Sequence, residues 1–156
     1  MKTRVLLVVV ALIVLMASTG SLVAAGNAVV PFKARYVTHP EQVGYEDGVL
    51  LLEIPAEGLG THLGLSTWFA TMWVNTKVWP WTQGADDMSF TAANGDQLFG
   101  SYAGSALPTA TGVKFWGTFQ ISGGPGHFEG TTGAGTYEGT CGDTEGILYF
   151  DGTLTK

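Results

Sequence analysis

Between Val113 and Gly139 the chain reads as strand, glycine-rich corner, strand, and this stretch narrows the possible folds more than any other. Val113, Phe115, Phe119 and Ile121 alternate with Lys114, Trp116, Thr118 and Gln120. A period of two sends one set into a core and the other toward solvent. Position 117 belongs to the inward set and is glycine. A missing side chain there predicts a barrel bend or the close approach of another backbone. Gly123-Gly124-Pro125-Gly126 forms the corner, because glycine accepts backbone angles that other residues avoid. Phe128, just after it, is placed to plug a core. The corner lacks the Gly-Lys-Ser/Thr ending of a phosphate loop, and a Thr-Gly strand follows it in place of a helix.

Strand signals recur along the rest of the chain. Residues 26–45, with Pro31 and Pro40, read as an extended lead-in that admits a first short strand at Phe32 to Val37. Val49 to Ile54 is strand-like between the Glu46-Asp47-Gly48 turn and Pro55. Leu65 to Asn75 is rich in Thr, Trp, Phe and Val, with Phe69 and Trp73 on one face and Trp68, Met72 and Val74 on the other. Two apolar faces predict a strand buried on both sides, or one facing a partner or ligand. Lys77 to Asp87 and Ala103 to Gly112 are expected as loops. Ser89 to Ala93 and Gln97 to Tyr102 are short strands joined at Asn94-Gly95, a type I′ turn signal that would set Phe90 opposite Phe99. After the turn at Gly142 to Gly146, Ile147 to Leu154 is the last strand. No helical periodicity of three turns occurs after residue 25. Short strands with frequent turns predict an all-β sandwich or barrel, here a single domain over residues 46–156.

Residues 1–25 read as a Sec signal peptide: Lys2 and Arg4, an apolar run from Val5 to Ala17, then Val23-Ala24-Ala25 before a cut. The alternative is an uncleaved anchor, although the run falls short of the roughly 20 residues a spanning helix needs. Export to the periplasm or exterior follows from the first reading, and membrane contact only from the second. The chain from Gly26 carries five basic residues against 13 acidic ones, net −8, which disfavours nucleic acid and anionic membranes as partners. Cys141 is the one cysteine, so no intramolecular disulfide forms, and a small buried hydrophobe is its expected role.

The segment Gly123-Gly124-Pro125-Gly126-His127-Phe128-Glu129-Gly130-Thr131-Thr132-Gly133 resembles the Gly-Gly-Ser/Thr-Gly-x-Phe-x-Gly-x-x-Gly signature of allene oxide cyclase-like and dirigent-like barrel proteins. Gly60-Thr61-His62-Leu63-Gly64 and Ala92-Ala93-Asn94-Gly95-Asp96 are similar to segments of secreted bacterial members, in the same order. Pro125 departs from the pattern, removing a hydroxyl and a backbone donor. The resemblance implies an antiparallel barrel of about eight strands with an apolar interior that holds a small hydrophobic molecule. It transfers no catalytic residue to this chain.

Three functions stay open at this level. A binding barrel would use Trp68, Met72, Trp73, Phe115 and Phe119 as lining. A cofactor-free cyclase or isomerase would use Glu53 or His62 to move a proton; a carboxylate in an apolar interior acquires a raised pKa suited to acid–base work, and imidazole titrates near neutrality. A surface-interaction protein would use the loop with Trp79 and Trp81, two tryptophans that are costly to expose without a partner. Tyr102, Tyr137 and Tyr149 are further candidates for hydroxyls in a pocket. No histidine pair has metal-ligand spacing, and neither Asp86-Asp87 nor Asp143-Thr144-Glu145 fits a calcium loop. No metal or cofactor is expected, and the oligomeric state is left open.

Overall fold

The computed structural model describes residues 27–156; the stretch read as a signal peptide lies outside them. The described chain runs through β1 (Val29–Thr38), β2 (Glu41–Glu46), β3 (Val49–Gly60), β4 (Gly64–Asn75), β5 (Trp81–Ala92), β6 (Gln97–Thr109), β7 (Gly112–Gly123), β8 (Thr132–Cys141) and β9 (Gly146–Thr155), with a 3₁₀ turn at Gly126–Phe128. All pairings are antiparallel in the order β1-β9-β8-β7-β6-β5-β4-β3-β2, and a β1–β3 pairing closes the sheet. β1 and β3 to β9 form an eight-stranded barrel, one of the two architectures the strand pattern left open and the one implied by the resemblance.

The expected lead-in is part of this barrel. β1 pairs along its whole length with β9, from Val29 opposite Thr155 to Thr38 opposite Gly146. On its other side Thr38 faces Ala56, and beyond Pro40 Glu41 faces Glu53, so β1 and β2 are one ladder bent at His39-Pro40. His39 N–H still reaches Pro55 O at 2.9 Å across the bend. β2 overruns β9 and keeps a free edge, which carries Glu41, Glu46 and a bulge at Val43, features that discourage further strand pairing. The barrel domain thus begins at Val29, not at residue 46.

Two expected loops are strand. β5 begins at Trp81 and absorbs Asp86-Asp87 in an irregularity between Ala85 and Met88, where both aspartates are exposed. β6 runs on through Ala103-Gly104-Ser105 to Thr109, residues too small and polar to be read as strand from composition. The Asn94-Gly95 hairpin is present but longer than a two-residue turn. Thr91 pairs with Gln97, Phe90 faces Leu98, and Phe99 lies opposite Ser89. Asn94 Oδ1 accepts Asp96 N–H at 3.0 Å, and Gly95 takes φ +90°. Phe90 is therefore fully buried and Phe99 is 40% exposed.

The lower end of the barrel is filled with aromatic rings. Phe32 and Phe90 meet edge-on at 5.5 Å, and Phe90 and Phe119 each pack against Phe150 at 5.2 Å. Such edge-to-face pairs add about 0.5–1.5 kcal/mol beyond area burial. Phe128 closes this end from the glycine corner, as predicted. Gly117 and Gly104 face each other across β7 and β6. A methyl group on Gly117 would lie 2.2 Å from the Ala103 carbonyl oxygen and 2.7 Å from the Tyr137 ring, so the missing side chain at 117 admits the close approach of the β6 backbone and leaves room for Tyr137.

Candidate functional site

The upper end is hollow. The N-terminal halves of β3, β5, β7 and β9 and the C-terminal ends of β4, β6 and β8 enclose a cavity of about 140 Å³. Its floor is Trp68, Tyr102, Tyr137 and Phe150, with Trp68 and Tyr102 centroids 5.9 Å apart and Tyr102 and Tyr137 5.1 Å apart. Alternation on β3 and β4 turns Leu52, Ile54, Met72 and Val74 inward as one wall. Phe115 and Leu148 line the opposite side, and Pro40, Leu50, Trp81, Val113 and Cys141 form the mouth.

No Asp, Glu, Lys, Arg or His contributes to this lining. Among its polar groups Gln83 and Tyr137 are engaged with each other. Gln83 is buried and its Nε2 donates to Tyr137 Oη at 3.3 Å and to Ser105 O at 3.5 Å. Burial pushes the Tyr137 phenol up to about 12, against the lowering effect of the Gln83 contact. Tyr102 is raised further still, first by burial and then by the negative charge that Tyr137 and Asp87 would present to it. Both hydroxyls are therefore neutral throughout the physiological range. The Cys141 thiol is raised by burial and by Asp143. Trp68 Nε1 is fully buried and has no hydrogen-bond partner.

The residues singled out by sequence divide between inside and outside. Trp68, Met72 and Phe115 line the cavity as expected. Trp73 does not: the period of two that turns Trp68, Met72 and Val74 inward turns Trp73 out, where it is 37% exposed. Phe119 points inward but sits in the aromatic plug below the cavity. Glu53 is on the outer face of β3, so its carboxylate does not reach the interior. His62 occupies an exposed turn with φ +67°, its Nε2 3.0 Å from Pro31 O. The tryptophan loop splits: Trp81 enters the cavity wall while Trp79 is 71% exposed. Tyr149 is on the outer face beneath Arg35, and Cys141 is half-buried at the mouth instead of fully buried. Among the described residues no three His, Cys, Asp or Glu side chains cluster as a metal site.

Sequence reasoning missed Gln83, Trp81 and Ala106 as lining because they fall in the two segments expected as loops. The alternation Trp81, Gln83, Ala85 was the available signal, obscured by the aspartate pair that follows.

The fold and site together define a class: a closed antiparallel barrel, plugged by aromatics at one end and holding an uncharged apolar cavity at the other. Comparison with protein-family models, curated proteins and solved structures gives no match.

Proposed function

We propose that this chain is an exported barrel that binds a small apolar molecule in its upper cavity, in keeping with its resemblance to allene oxide cyclase-like barrels. The observation that carries this reading is the cavity itself. An unfilled void of 140 Å³ costs about 3 kcal/mol at roughly 24 cal/mol per Å³. That is a large fraction of a typical domain's stability, and the lower half of the same barrel shows that the sequence can fill such space. The enzyme reading has less support, because Glu53 and His62 lie outside and the interior hydroxyls, Tyr102 and Tyr137, are held neutral.

Met72 and Met88 provide the test. Met72 lines the cavity and Met88 is buried elsewhere in the core. With methyl-labelled methionine, toluene should shift the Met72 resonance saturably and leave Met88 in place. Equal small shifts of both, or none, would count against a binding cavity.

A second reading rests on Trp79 and Val78, 71% and 42% exposed beside the mouth. An exposed indole next to an aliphatic side chain favours a surface contact of the chain. On this reading Trp79→Ser leaves the unfolding midpoint unchanged while weakening the contact.

A further inference from the structure

The cavity's chemistry restricts its ligand further than apolarity alone, an inference that rests on the binding reading above. Size is the first restriction. An apolar cavity of roughly 150 Å³ holds one benzene-sized molecule, and this one measures about 140 Å³. The aromatic plug built around Phe90, Phe119 and Phe150 blocks extension downward. Charge is the second. An ionised carboxylate or amine would enter without a counter-charge, since no charged side chain lines the walls. Transfer of an unpaired ion into such surroundings is strongly opposed. Hydrogen bonding is the third. Gln83 Nε2 is already donated to Tyr137 Oη and Ser105 O. Trp68 Nε1 is unmet but buried from open space, which leaves the Tyr102 and Thr38 hydroxyls as the uncharged groups a ligand can meet.

We infer that the ligand is a neutral molecule about one ring in size, a monocyclic hydrocarbon or a close equivalent, and not an ionised amphiphile or a long-chain acid. Isopropylbenzene and benzoate test the charge restriction, because they are nearly equal in size and shape and differ in ionisation at pH 7. Palmitate tests the size restriction. With the Met72 methyl as reporter, isopropylbenzene should bind at least about 100-fold more tightly than benzoate, a difference of about 2.7 kcal/mol. Palmitate should leave Met72 unmoved. Benzoate binding within tenfold of isopropylbenzene would overturn the charge restriction. Saturable movement of Met72 by palmitate would overturn the size restriction. Either result leaves the binding reading standing, whereas no response to any probe, toluene included, removes both. In Ala106→Leu, which places a larger side chain in the cavity, the isopropylbenzene response should vanish while the Met88 resonance stays native. A response that persists would place the probe outside the cavity and overturn the inference.

Discussion

Ala106 is 1% exposed and faces the cavity between Trp81 and Phe115, its partners on β5 and β7. Replacing it by Leu adds three carbon atoms to the space the structure leaves open. Each buried CH₂ is worth about 0.8 kcal/mol, so the gross gain approaches about 2.4 kcal/mol. Crowding against the two flanking rings and loss of side-chain freedom take back about half of it. The expected net is a stabilisation of about 1 kcal/mol, against the 3 kcal/mol or so assigned to the void. Urea unfolding read by tryptophan fluorescence measures it, as a raised midpoint at unchanged slope. Wild type should gain about 1.4 kcal/mol with isopropylbenzene at ten times its Kd, and Ala106→Leu should gain almost nothing. A destabilisation of about 1 kcal/mol or more would show that the space cannot accept a side chain, and the argument from cavity to ligand would fail.

Phe119→Ala should cost about 3–5 kcal/mol, because Phe119 is 1% exposed within the aromatic plug. Phe115→Ala should cost less than half as much, since Phe115 already borders open space; similar losses in denaturant unfolding would contradict the division into plug and cavity. Tyr36 and Tyr137 are both raised to about 12 by burial. Their folded forms hold the proton more tightly than the unfolded chain does, so this contribution is complete below pH 10 and disappears as pH rises from 10 to 12. Two units correspond to about 3 kcal/mol for each, and alkaline denaturation should coincide with a late rise in phenolate absorbance; early, non-cooperative ionisation of all tyrosines would refute it. Glu53→Gln should leave both stability and toluene binding within about 0.5 kcal/mol of wild type, as expected of an outward side chain. Loss of binding measured through the Met72 methyl would place Glu53 back in the site.

The architecture was legible because long runs keep a strict period of two. On β7 the pattern named both the inward residues and the odd glycine among them, and the corner announced Phe128 as a plug. Three features hid the rest. β4 is apolar on both faces, so periodicity alone could not show that Trp68 and Met72 go in and Trp73 comes out. β5 and β6 contain aspartate, serine and glycine where strands are expected to be branched and apolar, and the irregularity between Ala85 and Met88 breaks the pattern a reader would follow. The hairpin at Asn94-Gly95 was found but slipped by one residue, because Asn94 caps its own turn through Asp96 and lengthens the loop. A slip of one exchanges the faces, and it moved Phe99 from opposite Phe90 to opposite Ser89, on the exposed face. Part of the cavity lining was legible, in Trp68, Met72 and Phe115, but its position was not, since an interior that is filled below and open above uses the same residue types throughout.

What separates the filled half from the empty one is where glycine yields space to a ring. Tyr137 enters the interior at the boundary, and it can do so because Gly104 and Gly117 lie beside it without side chains. A methyl group on Gly104 would sit 2.0 Å from the Trp116 carbonyl oxygen, 2.5 Å from Tyr137 Oη and 2.7 Å from the Gly117 Cα. The β7 backbone must draw away from β6 at this point, and the ring must move with it. The phenol is also an acceptor that anchors Gln83, so its displacement leaves the buried amide with only its long bond to Ser105 O. Overlap in a tight core costs about 1–3 kcal/mol, and an unsatisfied buried donor about 1–3 kcal/mol more. Gly104→Ala is therefore expected to lose about 2–6 kcal/mol in denaturant unfolding. Gly95→Ala, where a methyl group meets open space, loses only the strain of its positive φ, about 1 kcal/mol. If the two losses are equal, backbone freedom alone explains the glycines. A larger loss at 104, accompanied by a changed response of Met72 to toluene, assigns Gly104 and Gly117 to shaping the cavity floor.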